Sequence, residues 1–571
     1  MFLFTIVFFI PEILLALAFS FYFIYVIYSR VSLQTSWADI GRQLRTLGYF
    51  LGEALTQSEK TDFAEIDKRI GKLRESLGLS FNMELRKLDT KDRRSLLFLS
   101  FICFVSFLFY CYKIRWFLLE NLFLDDKVFF FNYIYVDDIF SNFMKALLAF
   151  LCFMYFLICY AVSKYWKFYG FEFGFFVFLI FYTMLFLICS NDFFLFYITL
   201  EVQTLALVIL GAYQMSEKPS VESALKYFIS SAMFSGIFLF VLSIIYVLVG
   251  TISFTGINQL TIGSTLGSLF KDEILTFCII FIFVFIAFKM ALVPYHFWSP
   301  DFYQGSSLLV TAFIALISKL GLLAILVRLA FYVFVHFYYV TSELMLFFGV
   351  GSMLVGALYA LFQTDIRRFL AYTSVSNFGY TLLSFSGGFE EGLIYGVFYF
   401  VCYIFGTLPF FIGILGLIQV NLDTGKEEDI NKLNNSPEFT FPVSIYDLQG
   451  LYKTNKFLAL GFILLLMNLI GVPPFFFFFA KYFLFDVFML YQFNLFALVL
   501  VLSSLLSAFY YLRLIKIIVL DRSIVRRAYV FPSSLMSFLF YFSVLLTMIV
   551  FVEPLLLDPV IRFLQLVLKS F

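Results

Sequence analysis

The sequence predicts an all-α, polytopic membrane protein, and three observations carry this prediction. Of the 571 residues, 62% are hydrophobic and only 13% are charged, which is not the composition of a soluble globular domain. The mean hydropathy of the whole chain is +0.96. About fourteen stretches contain the roughly 20 apolar residues that a helix needs to cross a bilayer.

The predicted spans cover most of the chain outside two polar insertions. In chain order they are residues 3–28, 96–113, 144–163, 172–189, 191–213, 223–250, 272–294, 306–333, 342–362, 366–386, 390–419, 457–487, 492–518 and 532–553. The first span lacks the basic start of a signal peptide and the Arg-rich pattern of a transit peptide. We therefore expect it to be a transmembrane helix.

The two polar insertions and a short acidic segment interrupt these spans. In residues 30–94 an apolar stripe at steps of three and four predicts an amphipathic helix that packs on a partner or on lipid headgroups. The stripe consists of Phe63, Ile66, Ile70, Leu73 and Leu77. Residues 421–456 read as a mobile loop. Four acids before the third span predict a solvated acidic surface, namely Asp125, Asp126, Asp137 and Asp138.

Composition also limits the function. The net charge of +1, without a basic face that contains aromatic residues, argues against nucleic-acid binding. The 7 cysteines lie in apolar segments without a CxxC pair, so the sequence supports neither an iron–sulfur cluster nor a disulfide framework. The chain contains 87 Phe and 36 Tyr residues, which are encoded by A/T-rich codons. This composition suggests an organellar genome, and the lack of an import signal fits synthesis inside the organelle.

Residues 287–319 carry the strongest functional signal. Lys289 and Lys319 lie in stretches that are otherwise apolar enough to cross a membrane, and Pro294 and His296 lie between them. A cation at bilayer depth costs roughly 2.5–3.5 kcal/mol on the insertion scale. Proline frees a backbone carbonyl, so the broken segment must face protein or water. The pattern indicates a proton or ion path.

Other ionisable residues extend this pattern. Glu201 lies deep in the fifth span, and Lys226 opens the sixth, close enough to its end to reach the interface. Lys481 lies in the twelfth span and follows Pro473-Pro474 closely. A proline-broken helix with a lysine in each half of the chain is typical of transporters built from inverted repeats.

These residues allow a proton relay. A lysine removed from water is suited to this role because burial disfavours its charged form. We expect Glu201 and Lys289 to form a switching pair if their helices touch, and Lys319 and Lys481 to pass the proton on. His296 and Lys226 complete the candidate catalytic set. Some of these roles have a structural alternative. Lys319 and Lys481 could be structural lysines that bind a backbone carbonyl, and His296 could fix the loop by hydrogen bonds. Arg328 and Arg513 are expected to reach the membrane interface.

The chain resembles a known family at these residues. The matching segments, in order, are PEILLAL, YITLEVQTLAL, ALKYFISSAMFSGIFLF, LVGT, FKMALVPYHFWSPDFYQGSS, DIRRFLAYTSVSNFGY, NLIGVPPFFFFFAKYFLF and SAFYYLRLIK. They are similar to subunit 2 of mitochondrial NADH:ubiquinone oxidoreductase (respiratory complex I), an antiporter-like membrane-arm family. The resemblance covers most of the chain from about residue 130, together with the first span.

The resemblance implies a fourteen-helix core with two inverted five-helix repeats, the fourth to eighth and the ninth to thirteenth helices. It matches Glu201 to the fifth-helix glutamate of the family and assigns the seventh-, eighth- and twelfth-helix lysines to Lys289, Lys319 and Lys481. The family couples proton translocation across the mitochondrial inner membrane to quinone reduction in other subunits. NADH, FMN, iron–sulfur clusters and ubiquinone are then expected on those subunits, with no cofactor in this chain.

The expected partners are adjacent antiporter-like and small hydrophobic membrane-arm subunits, accessory subunits at residues 30–94, and lipids. Three features depart from the family: Asn377 replaces the usual tenth-helix histidine, FYQG replaces VYEG, and residues 30–94 have no counterpart. Two alternatives remain open at this point. One is a stand-alone cation/proton antiporter subunit of the Mrp type, and the other is a membrane-arm scaffold that does not pump.

The resulting domain organisation has six parts. They are a first helix (1–29), a polar insertion (30–94), a second helix with an acidic loop (95–143), a first antiporter-like half (144–333), a second half (334–531) that contains the loop 421–456, and C-terminal helices (532–571).

Overall fold

The structure is a computed structural model that describes most of the chain. The described residues are 11–20, 22, 24–25, 93–116, 128–130, 133–163, 171–214, 217–263, 269–387, 390–421, 442–473, 475–521, 527–531, 533–552 and 557–569. The amphipathic stripe predicted within residues 30–94, the acids Asp125 and Asp126, and residues 422–441 of the second polar loop lie outside them.

The N-terminal part consists of helices around one short hairpin. Its elements are α1 (Pro11–Ser20), α2 (Arg93–Trp116), β1 (Val128–Phe130), β2 (Tyr135–Asp137), α3 (Ile139–Val162) and α4 (Phe171–Ile188). The two strands pair antiparallel. Asp138 begins α3: its Oδ1 accepts a hydrogen bond from the Ser141 amide at 2.7 Å, and the Ser141 hydroxyl accepts one from the Asp138 amide at 2.9 Å. This reciprocal cap fixes the point where the hairpin becomes a helix.

The next part contains two interrupted helices. Its elements are α5 (Phe193–Gly211), α6 (Lys218–Val249), α7 (Phe254–Gly263), α8 (Leu269–Met290), α9 (Trp298–Gly305), α10 (Leu308–Phe313) and α11 (Lys319–Arg328). After α8 the backbone turns at Ala291, where φ is 60°. A π-helical turn, Ile314–Ser318, joins α10 to α11, and a second one, Leu329–Val333, follows α11.

The following part contains a third interruption. Its elements are α12 (Tyr338–Phe362), α13 (Ile366–Ser386), α14 (Glu390–Gly416), β3 (Ile418–Asn421), α15 (Leu451–Thr454), α16 (Lys456–Ile470), α17 (Phe476–Leu490) and α18 (Asn494–Val519). The sequence predicts one span at 457–487, but the helix ends at Gly471, whose φ of 84° an L side chain rarely adopts.

The C-terminal part closes the fold against earlier elements. It contains β4 (Arg527–Val530), α19 (Ser534–Val552) and α20 (Leu557–Lys569). Strand β4 pairs antiparallel with β3. Helix α20 packs on α3 and α14, so the end of the chain contacts the N-terminal part.

The described residues are overwhelmingly helical, which confirms the predicted all-α membrane fold. Among them, nine helices are long and apolar enough to cross a membrane. Four shorter apolar helices accompany them: Pro11–Ser20, Glu172–Ile188, Lys456–Ile470 and Ser534–Met548. The number of about fourteen spans stays a prediction.

Helix α13 lies inside the protein because small residues let α12 approach it closely. A methyl group built on Gly356 would lie 2.7 Å from the Ser376 amide nitrogen, and one on Gly379 would lie 2.6 Å from that of Met353. Small residues allow such backbone contact between helices in a membrane. The result is a buried helix whose side chains point into the protein rather than into lipid.

Candidate proton-relay site

The first part of the site is formed by Lys289 on α8 and Glu201 on α5. Lys289 is 5% exposed, and its Nζ has no hydrogen-bond partner among the described residues. The Glu201 Oε1 is likewise buried without a partner, and its Oε2 lies 3.5 Å from the Thr204 hydroxyl. The carboxylate acts electrostatically on the Lys289 ammonium, yet in the described structure no ion pair within 4.0 Å joins them. The two groups are therefore near each other without being locked together.

Lys319, the second lysine, is the first residue of α11 and follows the π-helical turn. It is 1% exposed, and its Nζ donates a hydrogen bond to the Ser374 hydroxyl at 2.9 Å. The Phe378 ring centre lies 4.5 Å from the same nitrogen. No carboxylate of the described chain lies within ion-pair distance, so Lys319 is held by neutral groups of α13.

Lys481, the third lysine, lies on α17, just after the helix break. Its Nζ donates to the Ile470 carbonyl at 2.9 Å and lies 3.4 Å from the Ser507 hydroxyl. Ile470 ends α16, where backbone carbonyls lose their partners within the helix. The break thus supplies the acceptor, as the structural alternative for Lys481 expects. We call Lys289, Lys319 and Lys481 the lysine row.

Helix α13 and its neighbours connect the second lysine with the third. Beyond Ser374, the Asn377 Oδ1 accepts a hydrogen bond from the Tyr399 hydroxyl at 2.7 Å. The Tyr399 ring stacks on Tyr380 at 5.3 Å, and the Ser503 hydroxyl donates to the Tyr380 hydroxyl at 2.8 Å. The Tyr380 ring centre lies 5.9 Å from the Lys481 Nζ.

Sequence reasoning noted Asn377 only as a departure and missed the other members of this connection. The available signal was the polar run TSVSN inside a predicted span. A membrane helix with so many hydrogen-bonding side chains must direct them into protein, because lipid offers them no partners. Asn377 does not titrate, but its hydrogen bond with Tyr399 keeps the connection polar.

His296 lies in the turn between α8 and α9 and is 4% exposed. Its ring packs on Phe297 at 4.5 Å, and its Nδ1 is buried without a hydrogen-bond partner among the described residues. Burial lowers the pKa of His296 below its ordinary value, and the Pro294 backbone opposes this only in part. The relay role of His296 and the loop-fixing alternative both stay predictions.

Lys226 lies apart from the lysine row, on an exposed face of α6. Its amine forms ion pairs with Glu222 at 2.9 Å and with Asp301 at 3.3 Å. Arg368 also contacts Asp301, at 3.0 Å. Lys226 therefore belongs to a network of paired charges on the exposed surface of this chain, unlike the buried lysine row, and its catalytic assignment stays a prediction.

Two predictions about charged residues are wrong. Asp137 and Asp138 were expected in a solvated loop, but they are only 1% and 2% exposed. Arg328 was expected to reach the interface, yet it is buried and its Nη2 lies 2.9 Å from the Asp138 Oδ2. The hairpin places these acids between helices, where lysine and arginine side chains from other parts of the sequence form ion pairs with them. Neighbouring sequence cannot reveal partners 190 residues away.

Asp137 belongs to a second buried group of charges that sequence reasoning also missed. We define the N-terminal charge cluster by its four members, Glu12, Lys113, Asp137 and Lys145. Lys145 bridges the acids, with 2.9 Å to the Glu12 Oε1 and 3.2 Å to the Asp137 Oδ1. Glu12 and Lys145 both fall inside predicted spans, and that signal could have found them.

Comparison with known proteins identifies the family. Residues 190–507, more than half of the chain, match the family model described as NADH:quinone oxidoreductase/Mrp antiporter, transmembrane. The chain is 34% identical over 399 residues to NADH-quinone oxidoreductase subunit N of Pelagibacter ubique, covering 70% of this chain and 79% of that one. It is 32% identical over 395 residues to the Rhodospirillum rubrum subunit N, covering 69% and 76%.

Solved structures show the same fold. A chain of respiratory complex I from Thermus thermophilus matches with a TM-score of 0.59 and 22% identity, covering 83% of this chain and 98% of that one. A chain of the Mrp complex from a Dietzia species matches with a TM-score of 0.67 and 19% identity, covering 84% and 93%. Together with the sequence matches, this places the protein in the NADH:quinone oxidoreductase/Mrp antiporter transmembrane family, among the relatives of NADH-quinone oxidoreductase subunit N.

Proposed function

We propose that this chain is the proton-translocating antiporter-like subunit of the membrane arm of respiratory complex I, equivalent to mitochondrial subunit 2. The observation that carries the proposal is the lysine row: three lysines, at most 9% exposed, lie at interruptions of three helices. Helix α13 supplies a polar connection between the last two. Relatives at 34% and 32% identity are subunits of NADH-quinone oxidoreductase, which supports the assignment to that enzyme.

The charge balance of the lysine row favours proton transfer over a fixed structural role. A buried ammonium without a carboxylate is costly, and losing the proton relieves that cost. Lys319 and Lys481 are in this situation, since the described residues place only hydroxyls, a carbonyl and aromatic rings against them. Such a lysine can hold a proton while a neighbour supplies negative charge or water, and can pass it on afterwards.

Glu201 provides the switch in this mechanism. Its carboxylate stabilises the charged form of Lys289 when it is near, and the missing direct ion pair leaves it able to move. When Glu201 turns away, Lys289 releases its proton towards Lys319. Lys319 then transfers a proton along Ser374, Asn377, Tyr399 and Tyr380 towards Lys481. Water between these groups completes each step that their separation leaves open.

Redox chemistry belongs to other subunits in this proposal. NADH, FMN, iron–sulfur clusters and ubiquinone bind elsewhere in the complex, and this chain receives the energy of quinone reduction through its membrane-arm neighbours. Those neighbours are adjacent antiporter-like and small hydrophobic subunits, with accessory subunits at residues 30–94. We assign the protein to the mitochondrial inner membrane and its gene to the organelle because of the Phe- and Tyr-rich composition.

A stand-alone Mrp-type antiporter subunit is the second candidate, because the fold matches the Dietzia Mrp complex with a TM-score of 0.67. Native electrophoresis of detergent-solubilised membranes separates the two. We expect the chain to migrate in one very large band that stains for NADH dehydrogenase activity. Migration in a small complex without that activity would reject the proposal in favour of cation-driven antiport.

Pumping itself is tested in the assembled complex with Lys289→Ala, which distinguishes the relay from a scaffold. The expected result is normal assembly with fewer protons moved per NADH oxidised. Normal assembly together with normal pumping would remove Lys289 from the path and leave the scaffold alternative.

A further inference from the structure

The N-terminal charge cluster is tightly paired. The Glu12 Oε1 accepts hydrogen bonds from the Lys145 Nζ at 2.9 Å and from the Tyr135 hydroxyl at 3.1 Å, and it lies 3.8 Å from the Lys113 Nζ. Asp137 is held through both oxygens, with the Lys113 Nζ at 2.9 Å and the Lys145 Nζ at 3.2 Å. Two carboxylates face two ammonium groups, so the cluster is neutral when all four are charged.

This cluster has the properties of a rigid anchor. All four side chains are at most 5% exposed, and they come from α1, α2, α3 and the hairpin. Buried charges with several partners hold a defined geometry, because moving one of them leaves the other buried charges without ion-pair partners. The position of Asp137 is thus fixed from several directions.

Asp138, the next residue, extends this anchor into the relay domain. Its Oδ1 caps α3 through the Ser141 amide, and both of its oxygens accept hydrogen bonds from the Arg328 Nη2, at 3.2 and 2.9 Å. Asp138 and Arg328 are 3% and 4% exposed at their side chains. In a medium of low dielectric constant, such a charge-assisted contact is strong and directional.

Arg328 lies at one end of the helix that carries Lys319 at its other end. Helix α11 has 10 residues, Lys319 is the first and Arg328 the last, so they are about 14 Å apart along the axis. A π-helical turn precedes α11 and another follows it. Such turns are rare and often occur at functional sites.

We propose that Asp138 and Arg328 are positioning residues for Lys319, and that the N-terminal charge cluster is the anchor that fixes them. The inference rests on the proposed function and adds a structural element that determines the position of Lys319. Helix α11 is a short unit between two π-helical turns, and the ion pair sets its position along the membrane. That position keeps the Lys319 Nζ at hydrogen-bond distance from Ser374. Without the pair, α11 is free to shift and Lys319 leaves α13.

Asp138→Asn is the sharpest test, because asparagine caps a helix as well as aspartate does but carries no charge for Arg328. We expect amide hydrogen exchange in residues 314–333 of the assembled complex to rise at least tenfold, with α16 unchanged as an internal reference. Protons pumped per NADH should fall at least twofold. Wild-type exchange and wild-type pumping in this variant would overturn the proposal.

The double variant Asp138→Asn/Arg328→Gln decides the question even if the single variant fails to assemble, since it leaves no buried charge unpaired. Its amide groups can still form a neutral hydrogen bond. We expect assembly, with exchange in residues 314–333 still raised at least threefold. Exchange at the wild-type level would mean that an ionic anchor is not needed, which would refute the inference.

Two controls separate positioning from general damage. Arg328→Lys keeps a positive charge opposite Asp138 and should retain most of the wild-type pumping, in contrast to Asp138→Asn. Arg513→Gln removes a half-buried arginine that binds the Leu361 carbonyl on another helix, and it should leave exchange in 314–333 unchanged. An equal effect from Arg513→Gln would count against the inference. Hydrogen exchange does not depend on pumping, so a failure of the relay proposal is distinguishable from a failure of this one.

Discussion

The N-terminal charge cluster and the lysine row contain the same residue type in opposite electrostatic settings. Lys145 is fully buried between two carboxylates, whereas Lys319 is equally buried beside a hydroxyl and an aromatic ring. Both lysines lie inside the membrane domain and both are about as hidden from solvent. The difference indicates that burial alone does not define a relay lysine. A lysine paired with carboxylates is a fixed structural charge, and one without them can give up its proton.

The largest expected effect tests the fixed side of this comparison. Lys145→Met leaves Glu12 and Asp137 with less compensation, and removing one partner of a buried ion pair typically costs about 3–5 kcal/mol. We expect little assembled complex, as measured by the amount of the chain in the large band on native electrophoresis. The matched substitution Lys319→Met should give a near-normal amount, because it leaves no carboxylate unpaired. Equal loss in both variants would contradict the proposed difference between the two sites.

The next effect tests the mobile side. Lys319→Met removes the proposed proton carrier, and we expect the rate of NADH-driven proton pumping to fall about tenfold or more, which corresponds to roughly 1.4 kcal/mol in the barrier. Lys319→Arg sharpens the test because an arginine cannot release its proton in a protein. It should therefore fail as badly as Lys319→Met, as measured by proton uptake in reconstituted vesicles. Full pumping with arginine would show that Lys319 acts only as a fixed charge.

A smaller effect is expected at the connection along α13. Tyr399→Phe removes the hydroxyl that donates to Asn377 at 2.7 Å and leaves the ring packing in place. The loss of one buried hydrogen bond is worth about 1 kcal/mol, so the pumping rate should fall about fivefold. Tyr395→Phe, which changes a tyrosine one helical turn earlier on α14, is the control. An unchanged rate in Tyr399→Phe would take this hydroxyl out of the path.

The smallest effect is expected at Lys226. Its ion pairs with Glu222 and Asp301 join partly exposed side chains, and exposed ion pairs contribute little. Lys226→Gln should leave both assembly and protons per NADH close to the wild-type values in the same two assays. A loss of pumping comparable with that of Lys319→Met would return Lys226 to the relay and show that exposure in the isolated chain is a poor guide.

Much of the relay site could be predicted from the sequence. A charged residue is rare in a long apolar run, so the sequence reveals Lys289, Lys319 and Lys481. Pro294 and Pro473 predict helix interruptions nearby. The connection through Ser374, Tyr399 and Tyr380 could not be predicted. It depends on α13 being enclosed by other helices, and hydroxyl-bearing residues in an apolar segment do not reveal which helix they will face.

The sequence by itself determined the membrane class, the helical fold and the three buried lysines, because hydrophobicity and its interruptions are local properties of the chain. The tertiary structure decided which charges are paired. Asp138 meets Arg328 across 190 residues, and Glu12 meets Lys145 across 133. Such pairs depend on how helices pack, and packing brings together residues whose distance along the chain carries no information about their distance in space. That is why two adjacent acids, Asp137 and Asp138, are buried although the sequence predicts a solvated loop.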